Sequence, residues 1–206
     1  TLIDSLDDLA FLNEELLKKP YIGLDTEFRR TNKDNMKLGL LQVNDSEEIF
    51  LIDTVSIEDP KEHIDFLISD SCIKILHSCK EDIEAIYSWT EKKIINIFDT
   101  QLANAFLDED YSISYQGLVK KKLGIFLEKK ETRSNWIRRP LTDMQLKYAS
   151  LDVEYLIYLF LEQNCLLKKQ NRLDWFQQDI NQIMKSVFDG TNKFSDTRSV
   201  VSKSQE

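Results

Sequence analysis

Residues 21–28 have the sequence YIGLDTEF, a β-prone run that ends on two acids, Asp25 and Glu27. Side chains alternate along a strand, so these two carboxylates point to the same side. Neighbouring carboxylates repel each other, and a cation between them removes that cost. Oxygen ligands at this spacing suit hard ions such as Mg²⁺ or Mn²⁺. A solvated strand end with two surface acids explains this stretch equally well, so the rest of the chain must decide.

The composition indicates a globular domain. The chain has 206 residues, of which 42% are hydrophobic and 31% are charged, enough for one domain with a proper core. A membrane helix needs about 20 consecutive apolar residues, and no run approaches that length, so we expect no membrane association. Three cysteines without zinc-like spacing favour unpaired thiols in a reducing compartment, which predicts a cytoplasmic protein.

Strands are predicted early in the chain. Apolar spacing predicts a helix from Ser5 to Lys18, with Ser5 as its N-cap. The first strand follows at 21–24. Residues 38–43 and 48–53 form the next two strands, and the turn chemistry between them predicts an antiparallel hairpin.

Helices and strands then interleave. Helices are predicted at 60–68, 81–89, 101–107 and 115–123, with short strands at 73–76 and 94–98. Thr142 and Gln145 form a capping-box pattern that opens one long helix to about residue 169, and 173–188 is a further helix. This order predicts an α/β fold whose mixed sheet has its first three strands antiparallel and is flanked by helices. We expect a domain over residues 1–188 and a flexible linker or tail over 189–206.

Charge is unevenly distributed. The net charge is −9, yet residues 120–139 hold eight basic and two acidic residues, 8 − 2 = +6, which leaves −15 for the remainder. A basic segment beside an acidic site could steer a polyanion. A solvated, lysine-rich loop is the alternative, and charge alone does not separate the two.

Two further features accompany Asp25 and Glu27. Asp82 lies in the first turn of a predicted helix, where the helix dipole by itself would explain an acid. Tyr148 and Asp152 are four residues apart on a helix and share a face. A surface hydrogen bond would explain that pair in isolation.

Taken in order, these residues resemble the DEDD superfamily of 3′→5′ exonucleases, in its tyrosine-containing branch. Six stretches together resemble the bacterial ribonuclease D family: Leu24 to Phe28, Leu76-His77, Glu81-Asp82, Phe98 to Gln101, Trp136 to Leu141 and Tyr148 to Asp152. The resemblance implies a ribonuclease H-like sheet. Family members carry helical HRDC-type domains after the nuclease, and we expect none after about residue 189.

The resemblance also implies roles for the acids. It implies two divalent ions, Mg²⁺ or Mn²⁺, with Asp25 bridging them. Glu27 and Asp152 would bind the first ion, and Asp82 the second, largely through water. Tyr148 would orient the attacking water.

Substrate contacts are predicted around these five catalytic residues. Thr26 and Phe28 flank the acids and can meet the terminal nucleotide by a hydrogen bond and by stacking. His77 and Gln101 lie at strand ends, where ordinary core or cap bonding is the alternative. Segment 129–140 is expected to form a flexible lid over RNA. The contacts expected from this segment are Lys129, Arg133, Trp136 and Arg138.

The leading hypothesis is a 3′→5′ exoribonuclease that releases 5′-mononucleotides from structured RNA 3′ ends such as tRNA precursors. A proofreading-type nuclease that prefers DNA is a second hypothesis, although no polymerase region accompanies the sequence. A catalytically inactive binding module is a third, and the presence of all five catalytic residues argues against it. No obligate protein partner is evident.

Overall fold

A six-stranded mixed sheet forms the centre of the molecule. A computed structural model describes residues 1–32, 35–107, 110–128 and 134–201, with 190–201 described by backbone alone. The strands are β1 (Leu2–Ile3), β2 (Tyr21–Asn32), β3 (Asn35–Asn44), β4 (Ile49–Ile52), β5 (Ile73–Leu76) and β6 (Ile97–Asp99). They are arranged in the order β1-β4-β3-β2-β5-β6.

The direction of the strands confirms the predicted mixed sheet. β2, β3 and β4 pair antiparallel, whereas β5 and β6 continue the sheet in parallel on the other side of β2. β1 was not predicted, because two residues carry no recognisable periodicity; it pairs in parallel with β4. β2 is therefore an interior strand, and Asp25 and Glu27 lie along it.

Eight helices flank the sheet in the described part of the chain. They are α1 (Leu6–Leu16), α2 (Asp65–Ile68), α3 (Lys80–Thr90), α4 (Thr100–Leu107), α5 (Tyr115–Leu123), α6 (Asp143–Glu154), α7 (Leu156–Lys169) and α8 (Leu173–Val201). Both predicted caps are confirmed: the Ser5 side chain accepts from the Asp8 amide, and Thr142 and Gln145 form a complete capping box.

Three helix predictions were wrong in extent. The helix predicted over 60–68 is present only at Asp65–Ile68. The long helix predicted from 142 to 169 is two helices separated at Tyr155. The last helix does not end at residue 188 but continues to Val201. The domain boundary after 188 and the flexible tail at 189–206 stay predictions, and residues 202–206 of that tail lie outside the described residues.

The two faces of the sheet carry different helices. Glu27 of β2 pairs with Leu40 of β3, so their side chains lie on the same face of the sheet. On that face Leu40 is buried with Leu51, Trp136 and, from α6, Ala149. α3 packs against β2 and β3. Among the described residues, no helix is both long and apolar enough to cross a membrane. The three cysteines are unpaired, as predicted.

Arg139 fixes the chain before α6 to the sheet. Its guanidinium donates to both carboxylate oxygens of Asp53, at 2.6 and 2.5 Å. It also donates to the carbonyls of Gly39, at 2.7 Å, and Trp136, at 2.8 Å. A bidentate arginine–carboxylate pair restricts orientation as well as distance. The expectation of a flexible lid is therefore wrong for residues 134–140, while 129–133 lie outside the described residues.

Gly39 is required by the close approach of this segment. A Cβ atom at Gly39 would lie 2.5 Å from the Trp136 carbonyl oxygen, a backbone atom that Arg139 holds in place. We expect Gly39→Ala to lower the free energy of unfolding by roughly 1–3 kcal/mol, as overpacking does elsewhere. Urea unfolding followed by circular dichroism measures this change.

Gly117→Ala is the matched control for this prediction. Gly117 lies in α5, and its nearest new contact would be the Ser114 hydroxyl at 3.1 Å, a side-chain atom. Alanine gains up to about 1 kcal/mol over glycine within a helix, so we expect a change within about 1 kcal/mol of zero. Equal effects of the two substitutions would show that the Trp136 carbonyl is not fixed against Gly39.

Candidate active site

Asp25 and Glu27 lie on the same face of β2. Asp25 pairs with Gln42 and Glu27 with Leu40 of β3. The register shifts directly after Glu27, so regular pairing breaks immediately beyond the second acid. β-Bulges often re-aim side chains at functional sites. Alternation along the strand predicts that both carboxylates point to one side, and these pairings are consistent with that prediction.

Asp152 joins these two acids from the helix above them. It lies on α6, which packs over β2, β3 and β4. One oxygen from each of Asp25, Glu27 and Asp152 falls within 4.8 Å of the other two. Residues more than a hundred positions apart in the chain thus form one compact group of carboxylates.

Asp82 lies outside this group of three. It is 7% exposed in the first turn of α3, and its carboxylate accepts a hydrogen bond from the Thr26 hydroxyl. Thr26 points to the opposite side of β2 from Asp25 and Glu27, because side chains alternate along a strand. The Thr26 side chain therefore holds the Asp82 carboxylate in place. The predicted substrate contact of Thr26 and the metal-binding role of Asp82 stay predictions.

Tyr148 stands beside Asp152, as the spacing on α6 predicts. Its hydroxyl is hydrogen-bonded to the Asp152 carboxylate, and burial followed by the charges of Asp152 and Glu27 raises the pKa of the phenol. The ring of Trp136 lies behind it, with centroids 6.2 Å apart. At neutral pH the Tyr148 hydroxyl is consequently protonated and available as a donor.

Burial and mutual repulsion raise the pKa of the acids. Burial is the larger cause for Asp25, followed by Asp82, Asp152 and Glu27, and together they hold its pKa well above the ordinary range. Burial and then Asp152 raise the pKa of Glu27 to about 8. The pKa of Asp82 rises to about 7 through burial, although the Thr26 hydrogen bond opposes the rise.

These residues fit a divalent cation. Within the described ranges, no lysine or arginine forms an ion pair with Asp25 or Glu27. The donors are carboxylate oxygens, which Mg²⁺ and Mn²⁺ prefer. A doubly charged ion would offset the repulsion that raises these pKa values. The donor set therefore matches the predicted class of cofactor.

A cleft of about 190 Å³ opens above the acids. Its lining residues are Asp25, Glu27, His77, Tyr115, Gln116, Tyr148, Asp152 and Leu156. Sequence reasoning missed Tyr115, Gln116 and Leu156. They come from α5 and α7, and no motif marks them, because only the tertiary packing brings these helices beside the acids of β2.

The predicted substrate contacts occupy varied positions. The His77 ring and the Gln101 amide both lie 3.0 Å from the Ile113 carbonyl, which is core bonding. Trp136 is buried, at 4% exposure. Phe28 packs against the core and is half-buried, and Arg138 is exposed. Lys129 and Arg133 lie outside the described residues. All of these substrate contacts remain predictions.

Fold and site agree in one arrangement: a mixed sheet carries acids on its interior strand, and a Tyr–Asp pair stands on the helix above. The family model described as "3'-5' exonuclease" matches residues 1–166. The chain belongs to this 3′-5′ exonuclease family.

Individual relatives are ribonuclease D proteins. Ribonuclease D of Pseudomonas paraeruginosa is 40% identical over 175 residues, covering 84% of this chain and 46% of that protein. The crystal structure of Escherichia coli RNase D, an exoribonuclease involved in structured RNA processing, matches with a TM-score of 0.86 and 32% identity. That match covers 91% of this chain and 50% of the other. The chain thus spans about half the length of the relatives that it matches.

A more distant structure shares the fold. The catalytic core of RRP6 from Trypanosoma brucei superposes with a TM-score of 0.81 at 23% identity, covering 89% of this chain and 51% of that one. The mixed sheet with its flanking helices is therefore retained at low sequence identity.

The acids predict how stability depends on pH without metal. The folded-state pKa of Glu27 is about 8 against an ordinary 4.5, so the folded protein holds a proton that the unfolded chain releases. The stabilisation of the folded state by this proton is complete below pH 4.5 and is lost as pH rises through 8. We expect urea unfolding in EDTA to show a falling free energy of unfolding across this window.

Glu27→Gln tests the cause of that slope. The variant removes one titrating group and one repelling charge, so its stability should fall less steeply with pH. Identical slopes in the two proteins, or a steeper one in the variant, would contradict the raised pKa of Glu27. Circular dichroism at the start and end of the window checks that both proteins are folded.

Proposed function

We propose that this chain is a metal-dependent 3′→5′ exoribonuclease that removes 5′-mononucleotides from RNA 3′ ends. The observation that carries the proposal is the convergence of three carboxylates within 4.8 Å, beside the Tyr148 hydroxyl in an open cleft. The ribonuclease D relatives support RNA as the substrate. An inactive binding module would not need a cluster of half-buried acids that repel one another.

The cation would be held by this chain's own carboxylates. Asp25, Glu27 and Asp152 supply the compact donor set, and Asp82 is the candidate for a second, more distant ion. Two divalent ions bound here, Mg²⁺ or Mn²⁺, would polarise the phosphate and stabilise the attacking and leaving oxygens.

Tyr148 has the position and protonation state to align a water molecule. Its hydroxyl can donate to Asp152 and accept from water at the same time. In the proposed reaction, the water oxygen bonds to the terminal phosphorus as the bond from phosphorus to the 3′ oxygen breaks. One water proton passes to solvent, and the leaving 3′ oxygen takes up one proton from solvent, so the net change is the addition of one water molecule. The products are a 5′-mononucleotide and an RNA shorter by one residue.

Structured RNA 3′ ends, tRNA precursors among them, are the proposed substrates in the cytoplasm. The E. coli relative acts in structured RNA processing, and this supports the choice. Arg138 is exposed on the segment leading to α6, where its charge can meet a phosphate. Phe28 follows directly after Glu27 and is the candidate for stacking on the terminal base.

A paired degradation assay tests the function. We expect a 5′-labelled single-stranded RNA to shorten one nucleotide at a time in Mg²⁺ or Mn²⁺, and the matched DNA to shorten more slowly. Asp152→Asn keeps the shape of the side chain but removes a donor charge, so it should abolish turnover. Faster cleavage of DNA would favour a proofreading-type enzyme, and activity that persists in Asp152→Asn would refute the assignment of the site.

Tyr148→Phe separates alignment of water from metal binding. The variant loses one hydroxyl and no carboxylate, so the affinities for Mn²⁺ and RNA should stay within about twofold. The loss should fall on kcat, by roughly 10–1000-fold, as for other positioning contacts in a transition state. A kcat within about twofold of the native value, a change of ~0.4 kcal/mol, would show that Tyr148 is only a helix-surface partner of Asp152.

A further inference from the structure

The break between α6 and α7 is produced by a side chain from another helix. In an uninterrupted helix the Tyr155 amide would donate to the Leu151 carbonyl, four residues earlier. Here the Tyr115 hydroxyl stands between them. It accepts from the Tyr155 amide at 3.0 Å and donates to the Leu151 carbonyl at 3.1 Å. A side chain inserted into the hydrogen-bond ladder is a known cause of a sharp helix kink.

Tyr115 is held firmly enough to impose this break. It is the first residue of α5 and is 7% exposed. Its ring meets that of His77 edge-on, with centroids 5.8 Å apart. Burial lowers the pKa of His77, so the imidazole is neutral. A carbonyl oxygen only accepts, so Nε2 of His77 donates to Ile113 at 3.0 Å, and Nδ1 lies 2.9 Å from the Thr100 hydroxyl.

The break lies directly beside a carboxylate of the site. The Leu151 carbonyl belongs to the peptide unit whose amide nitrogen is that of Asp152, so Tyr115 holds the backbone at the base of this acid. On the other side of Asp152, the Asn44 amide from β3 donates to the carbonyls of Val153, at 3.0 Å, and Glu154, at 3.2 Å. Two side chains from separate elements therefore fix the backbone on either side of Asp152.

We propose that the Tyr115 hydroxyl, assisted by Asn44, is a positioning group that sets Asp152 against Asp25 and Glu27 for cation binding. Ionised carboxylates within 4.8 Å repel one another, so in the ionised state that binds a cation Asp152 stays close only if its backbone is held in place. The repulsion pushes Asp152 away from Asp25 and Glu27, and the inserted hydroxyl together with the Asn44 amide holds its backbone against that push. The expected effect of Tyr115 on the rate rests on the proposed function, whereas its expected effect on cation binding does not.

Tyr115→Phe is the direct test, because it removes the inserted hydroxyl and keeps the ring. Mn²⁺ binding to RNA-free protein, followed by electron paramagnetic resonance, should weaken by roughly 10–100-fold, the usual effect of losing a group that orients a metal ligand. At saturating Mn²⁺, kcat on RNA should fall while KM stays within about twofold. Tyr158→Phe is the matched control: it lies on α7, is 63% exposed, and should leave both quantities unchanged.

The outcomes are separable. The proposal would be overturned if a folded Tyr115→Phe protein kept its Mn²⁺ affinity and kcat within about twofold of native. The same holds if only its melting temperature falls. If Tyr115→Phe does not fold, Asn44→Ser decides by the same two measurements. A native protein that binds Mn²⁺ without degrading RNA would refute the proposed function, and the Mn²⁺ comparison would still judge Tyr115. A native protein that binds no Mn²⁺ would overturn the proposal.

Discussion

The repulsion among three half-buried carboxylates is the constraint on which the rest of the site depends. Asp25, Glu27 and Asp152 lie within 4.8 Å of one another, in surroundings that raise the pKa of Glu27 to about 8. Such a cluster does not assemble for its own stability. It persists because β2 is an interior strand paired on both sides, and because α6 is fixed over that strand by bonds that the acids do not make.

Those fixing bonds come from residues with no charge in the cleft. Arg139 holds the chain before α6 to Asp53 and to the Gly39 carbonyl. At the other end of α6, the Asn44 and Tyr115 side chains bond the backbone carbonyls around Asp152. Thr26 restrains Asp82 in the same manner. The electrostatic cost at the centre is thus offset by hydrogen bonds at both ends of one helix, which keep the carboxylates in place.

Local patterns predicted the parts of this arrangement that depend on neighbours in sequence. Strand alternation placed Asp25 and Glu27 together, helical spacing paired Tyr148 with Asp152, and the capping box located the start of α6. The break at Tyr155 could not be predicted, because the hydroxyl that causes it lies on Tyr115, forty residues away. The basic segment favoured an RNA contact for Trp136; its side chain is buried against Leu40 and Ala149, and the contact stays a prediction. In each case the deciding partner is distant in the chain, where periodicity carries no information.

The same repulsion links folding, metal and substrate. In the proposed function, a chain of net charge −9 with an acidic cleft would repel the phosphates of RNA, and a bound cation would oppose that repulsion. Because protons and cations compete for the same oxygens, raised pKa values mean that metal binding displaces protons. A ligand that binds only the folded state also stabilises it in proportion to the logarithm of its concentration. The arrangement that weakens the metal-free fold would therefore make a divalent ion a stabilising ligand and, in the proposed function, the group that attracts the phosphates of RNA to the cleft.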